Sequence, residues 1–391
     1  MHKWWMAGML ALGGGVGAQM SVVPSTLLET IFKSPKLEEK WFSKEFLAKA
    51  STGQVETLLK QISGSFGAYK SLKQESEYNY TVELEKAFLP VQFALNAQGQ
   101  VAGFLIKSPQ MKSQDMQEAL QGFKALSGTV SVFVSKNGKP ILEMNADKPL
   151  AVGSAFKLAV LKTLKGQIQA GKRSWKDVVV LEEGDKSLPS GTLQTWPDGS
   201  NLTIETLASL MISVSDNTAT DVLIKTLGRK TIEATLDSRH KPFLTTQELF
   251  LLKFSKDKEP LKKYLGATLP EKYALLDQLK GRPLPKVEDI LDGTVQIEPE
   301  WFFSTQELCS LMSDVADLPL MSINPGVASA SDWKRVSYKG GSEPGVLNLT
   351  TQVVSKENDT YCISTTWNDN KTLDENPFAL LHGSLIGAFK K

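Results

Sequence analysis

Ser154 and Lys157 stand three residues apart in Val152-Gly153-Ser154-Ala155-Phe156-Lys157-Leu158-Ala159-Val160, so on a helix they share one face and the amine can reach the hydroxyl. A serine hydroxyl is a weak nucleophile at neutral pH. A lysine activates it only when neutral, a state that burial or a neighbouring cation produces by lowering the amine pKa. A helix cap at Ser154 followed by a solvated Lys157 is the plainer use of the same residues. Two later stretches bear on the choice. Ser215-Asp216-Asn217 is a short polar run between the apolar segments Leu210-Met211-Ile212 and Val222-Leu223-Ile224. There Ser215 can relay a proton to a leaving group, and the Asn217 amide can hold both a lysine and a substrate carbonyl; simple capping is again the alternative. Lys339-Gly340-Gly341-Ser342 ends a strand-like stretch, and its glycines let a ligand approach backbone N–H groups suited to an oxyanion. In this order the three stretches point to acyl transfer.

The rest of the composition narrows the chemistry further. The chain has 391 residues, 41% hydrophobic and 22% charged, with a formal net charge of +1, so it is long enough for two domains and has no charge imbalance that would draw it to nucleic acid. Three histidines, at 2, 240 and 382, lack metal-like spacing and argue against both zinc and a histidine base, and no cofactor is implied. Cys309 and Cys362 lie in apolar surroundings and are expected to be two buried thiols rather than a disulfide. Residues 1–18 place Lys3 before a short apolar stretch and end in Val16-Gly17-Ala18, the pattern of a cleavable export signal. The expectation is an exported bacterial protein, periplasmic or secreted, unattached to the membrane after cleavage.

Elements can be assigned around the candidate site. Residues 31–107 read as a small α+β domain: a helix over 36–50, a second opening at Thr52 and closed by Gly64 to Gly67, then strands over 69–75, 78–88, 91–95 and 101–106. Ser108-Pro109-Gln110 marks a hinge. The second domain, 115–391, opens with a helix over 115–126 and a hairpin, Thr129 to Val134 and Pro140 to Met144, turning at Asn137-Gly138. Ser154 then heads an apolar helix that stops at Ala170-Gly171.

The elements Ser154-Ala155-Phe156-Lys157, Ser215-Asp216-Asn217 and Lys339-Gly340-Gly341 resemble the Ser-x-x-Lys, Ser-Asp-Asn and Lys-Thr-Gly set of class A β-lactamases and penicillin-binding proteins. With the N-terminal domain and Ser322 to Gly326, the chain looks still more like the two-domain β-lactamase-like proteins of clavulanic acid biosynthetic clusters. The resemblance implies an α+β fold, an antiparallel sheet flanked by helices plus an all-helical lobe, preceded by a cystatin-like α+β domain. It implies Ser154 as acylated nucleophile, Lys157 as base and Ser215 as proton shuttle. Asn217, Lys339, Gly341 and Ser342 would bind substrate, with the N–H groups of Ser154 and Ser342 forming the oxyanion hole.

Two departures qualify the likeness. Gly340 replaces the hydroxyl residue of the third element, leaving Ser342 to supply a hydroxyl. The Glu-x-x-Leu-Asn loop of class A enzymes is absent; Thr245-Thr246-Gln247-Glu248-Leu249 and Ser304-Thr305-Gln306-Glu307-Leu308 read instead as capped helix starts. The expectation is a monomeric serine hydrolase that acts slowly on a β-lactam or a related small amide or ester. A non-hydrolytic penicillin-binding sensor and a D-alanyl-D-alanine peptidase are the alternatives.

Overall fold

The computed structural model describes residues 22–107, 109–112, 115–291 and 293–390, so residues 1–18, where an export signal is expected, and Ser108 of the expected hinge lie outside the described residues. Two compact units divide between Glu118 and Ala119.

The first unit comprises α1 (Pro24–Lys33), α2 (Lys44–Leu47), α3 (Thr52–Phe66), β1 (Tyr69–Gln74), β2 (Asn79–Leu84), β3 (Ala87–Leu95), β4 (Val101–Ile106) and β5 (Gln110–Met111). Strands β1 to β4 form an antiparallel meander, and β5 pairs with β3. Alternation explains the register: Tyr80, Val82 and Leu84 of β2 are buried, and the residues between them are half-exposed. Ser51 and Gln54 form a capping box that starts α3, and Gly67, at φ +82°, ends it. Three expectations change here. The helix over 36–50 is only a 3₁₀ turn at Glu39–Trp41 and the single-turn α2, because Phe42 bridges Val101 and the Ser43 hydroxyl caps Phe46 N–H. The strand expected over 78–88 is broken at Glu85-Lys86, where β2 turns into β3. The amphipathic α1, with Leu27, Leu28 and Ile31 inward, begins before residue 31.

The second unit continues with α4 (Met116–Lys124, crossing the division), β6 (Thr129–Lys136), β7 (Lys139–Met144), β8 (Leu150–Ala151), α5 (Lys157–Gln169), β9 (Val178–Val180), β10 (Asn201–Thr203), α6 (Ile204–Ser213), α7 (Asn217–Leu227) and α8 (Arg229–Glu233). It ends with α9 (Thr246–Phe254), α10 (Glu259–Gly266), α11 (Leu269–Leu279), α12 (Val287–Leu291), β11 (Phe302–Phe303), α13 (Thr305–Val315), β12 (Arg335–Glu343), β13 (Val346–Val354), β14 (Thr360–Asn368) and α14 (Glu375–Gly387). An antiparallel sheet of order β12-β13-β14-β6-β7 carries α13 on one face and α14 on the other; β12 is an edge. Alternation along β14 shows how the sheet serves both layers. Thr365 bonds His382 of α14 at 2.9 Å, while Cys362, of opposite parity, meets Cys309 of α13.

That second contact is a disulfide, with Cα atoms 5.9 Å apart, so the expected pair of thiols is corrected. The 53-residue separation concealed that a helix and a strand place the two cysteines face to face. Both Thr-Gln-Glu helix starts are capping boxes, Thr245 with Glu248 and Ser304 with Glu307. Helices α5 to α9 pack into a helical lobe whose shared core includes Leu158, Leu161, Leu207, Met211, Leu223 and Leu249.

Candidate active site

Three elements converge where the helical lobe meets the edge strand. The chain leaves β8, which pairs with β11, and winds a 3₁₀ turn over Gly153–Phe156 before α5 begins at Lys157. Phe156 anchors the turn by stacking on Trp301 at 3.6 Å between ring centroids, and the Trp301 carbonyl accepts from Val152 N–H at 3.0 Å. Ser154 is half-buried, and Lys157 is wholly buried.

The Ser215 turn supplies the second wall. Asp216, rather than Ser215 or Asn217, is the N-cap of α7, accepting from Ala219 N–H at 2.8 Å. Its other oxygen accepts from Thr192 and Leu193 N–H at 2.6 and 2.9 Å, binding the turn to the 190s loop. Ser215 adopts φ +57°, uncommon for a residue with a Cβ, and Asn217 is thereby set on the first turn of α7. Nζ of Lys157 then donates to Ser215 O at 2.7 Å, Ser215 Oγ at 3.1 Å and Asn217 Oδ1 at 2.7 Å. Among the described residues no hydrogen bond joins Lys157 to Ser154, so the direct contact expected from their spacing is replaced by one to the Ser215 turn.

The third wall is β12, which runs through both glycines instead of ending at them. Nζ of Lys339 donates to Ser215 Oγ at 3.0 Å and to the Gly340 carbonyl. Gly341 permits the closest approach: a Cβ there would overlap Val152 O and Ser154 N and come within 2.8 Å of Ala155 N. From the other side, a Cβ at Gly153 would lie 3.2 Å from Ser342 N. The N–H groups of Ser154 and Ser342 thus occupy facing backbones. The Ser342 hydroxyl, however, donates to Glu375 of α14.

Burial sets the protonation of the two amines. It pushes Lys157 down to about 7, against the opposing charges of Asp221, Asp216 and Glu343. Burial and then the charge of Lys157 hold Lys339 well below the usual lysine range. The arrangement can take a proton from a hydroxyl at Ser215 or beyond it, and can present two amides to a developing oxyanion. Glu248 and Glu307 have structural partners, Arg229 and Arg239 respectively. Among the described residues no cluster of histidine, cysteine and acidic side chains is arranged to hold a metal ion.

Sequence reasoning missed a buried cluster beside this strand. Lys253 of α9 bonds both Glu300, just before β11, and Glu343, the last residue of β12. Period-two alternation from Lys339 and Gly341 puts Glu343 on their face, which was the available signal.

Residues 112–278 match the model of the Beta-lactamase enzyme family. This segment is β-lactamase-like. It contains Ser154, Lys157, Ser215 and Asn217 and stops before Lys339. Over 122 residues the chain is 27% identical to β-lactamase VEB-1 of Pseudomonas aeruginosa, covering 30% of this chain and 40% of that β-lactamase. The chain therefore spans well under two thirds of that relative's length. Among solved structures, a β-lactamase from Sphaerobacter thermophilus is 22% identical over 69% of this chain and 93% of that one, with a TM-score of 0.48. An ancestral class A β-lactamase is 15% identical over 70% and 98%, with a TM-score of 0.47. PBP-A is 17% identical over 69% and 93%, with a TM-score of 0.43.

Proposed function

We propose that the second unit is a serine acyl-transfer enzyme in which Ser154 attacks an amide or ester carbonyl and forms an acyl-enzyme. Lys157 takes the serine proton, Ser215 passes it to the leaving group, and the Asn217 amide holds the substrate. The carbonyl oxygen accepts from the N–H groups of Ser154 and Ser342. The observation that carries this reading is the Ser215 hydroxyl held between two buried amines, with Lys157 poised near neutrality. The substrate class is a β-lactam or a related amide or ester, and export to the periplasm or medium would bring the monomer to it.

Slow hydrolysis follows from the surrounding acids: Glu248 and Glu307 are engaged in caps and arginine pairs, which removes both as ready bases for a deacylating water. The same observation favours a second reading, an acyl-trapping sensor. A D-alanyl-D-alanine peptidase uses the same acylation chemistry, and the proposed likeness to clavulanic acid cluster proteins rests on Ser322 to Gly326, Lys339 to Thr350 and the N-terminal domain.

Intact-mass spectrometry with a chromogenic cephalosporin tests the assignment. An acyl mass on Ser154 that decays over minutes to hours supports slow hydrolysis, and a stable stoichiometric adduct supports the sensor. Release of D-alanine from a cell-wall peptide identifies the peptidase. Turnover by Ser154→Ala equal to the parent's would overturn all three.

A further inference from the structure

The outer side of Gly340 is occupied by another residue's functional group. Tyr338 lies two positions earlier on β12, and its hydroxyl stands where a Cβ at 340 would be; Asn348 O is 3.0 Å from the same point. A second glycine makes room for the ring: a Cβ at Gly326, at φ +62°, would fall 2.6 to 2.7 Å from Tyr338 ring carbons. Tyr338 is only 4% exposed; its hydroxyl makes no hydrogen bond among the described residues and is not one of their fully buried unpartnered atoms, so it keeps an opening to solvent. A hydroxyl held in place by packing and still open to solvent is free to donate to a group that arrives later.

The neighbouring groups define what that arriving group can be. The Ser342 hydroxyl is committed to the Glu375 carboxylate. The Lys339 amine is engaged with Ser215 and Gly340, and burial suppresses its charge. Burial, together with the charge of Glu375, also keeps the Tyr338 phenol protonated. The strand end thus offers a neutral donor beside a carboxylate, a poor place for a substrate anion and a suitable one for an uncharged acceptor.

We propose that Tyr338 is a specificity-determining residue whose hydroxyl donates to an uncharged carbonyl of the acyl donor, so that the site selects neutral esters or amides over carboxylated ones. This rests on the acyl-transfer reading above. An acyl donor whose carbonyl reaches the N–H groups of Ser154 and Ser342 must lie along residues 340–342, within reach of that hydroxyl.

The test compares acylation of Ser154 by benzylpenicillin and by its methyl ester, followed by intact mass. The parent should react faster with the methyl ester. Tyr338→Phe keeps the ring between the two glycines and should slow the ester about tenfold, the worth of one neutral hydrogen bond, while changing the acid less than twofold. A parent preference for the free acid, or equal ester rates in parent and Tyr338→Phe, would overturn the proposal and leave acyl transfer standing. Absence of any adduct with either compound would overturn both.

Discussion

Nζ of Lys157 lies 3.1 Å from Oγ of Ser215, and among the described residues it makes no hydrogen bond to the Ser154 hydroxyl that it is expected to deprotonate. Lys339 approaches the same oxygen from the strand side at 3.0 Å, so one hydroxyl links two amines. Two amines so near each other cannot both stay charged without a large electrostatic cost, and burial already disfavours charge on each. The proton inventory of the site is therefore set by the meeting of two elements.

That inventory fixes the pH dependence. With Lys157 pushed down to about 7, its amine is mostly protonated below that pH and mostly free above it. The acylation rate should rise through pH 7 and level off above it, and stopped-flow with a chromogenic substrate would show the midpoint. Lys157→Met should abolish the rise and lower the rate by roughly 10² to 10⁴. A parent profile falling across that range would contradict a neutral-lysine base.

Gly341 is the point of closest approach between β12 and the Ser154 turn. Gly341→Ala should push the strand away and displace the Ser342 N–H, lowering acylation by about 10² to 10³, the cost of losing one oxyanion donor. Gly138→Ala, at an open hairpin turn, is the control and should leave the acylation rate within twofold. Comparable rate losses in the two variants would detach the strand glycine from the oxyanion role.

The Lys253 cluster ties α9, the approach to β11 and the end of β12. Burial, with Glu343 beside it, pushes Glu300 up to about 8, above its ordinary 4.5. The folded state therefore holds a proton that the unfolded chain releases between pH 4.5 and about 8. Stability from this group is full below 4.5 and is lost as pH rises through about 8. Glu300→Gln should flatten that part of the pH–stability curve. Lys253→Met should cost about 3 to 5 kcal/mol by leaving the Glu300–Glu343 pair without its cation, read by urea unfolding at pH 7. A stability change below about 1 kcal/mol would show that the cluster is not held as a buried ion pair.

Reduction should expose the contribution of the Cys309–Cys362 bond. Closing a loop of 53 residues restricts the unfolded chain by about 4 kcal/mol in the entropy model. The double variant Cys309→Ser/Cys362→Ser should unfold at correspondingly lower denaturant, and the parent should match it once reduced. Identical midpoints for oxidised and reduced parent would remove the crosslink from the stability account.

Much of this was legible in the order of residues. The hairpin turning at Asn137-Gly138, the helix ending at Ala170-Gly171 and both Thr-Gln-Glu starts follow local rules, because turn glycines and capping hydroxyls act within a few residues. Two of the site stretches could be named for a related reason, since Lys157 and Asn217 each open a helix, whereas Lys339 lies within β12 and was marked by its two glycines. What stayed hidden was long-range. Cys309 and Cys362 look like separate apolar positions until α13 is laid on β14. Tyr338 reads as an ordinary strand aromatic until Gly326 and Gly340 are seen to leave space around it. Lys253, in the last turn of α9, gives no local sign of lying between two glutamates.

Asp216 carries a mechanical consequence. Its carboxylate fastens Thr192 and Leu193, while the carbonyls of Leu188 and Ser190 accept from the Asn217 side chain and backbone, and Ser190 Oγ donates to Ser215 O. Residues 188–193 and the Ser215 turn are thus bolted into one plate, and the missing Cβ at Gly191 leaves the space that the Asp216 carboxylate fills. Any breathing of the cleft must come from its opposite jaw, so crystals soaked with different acyl donors should adapt along β12 and not along this plate.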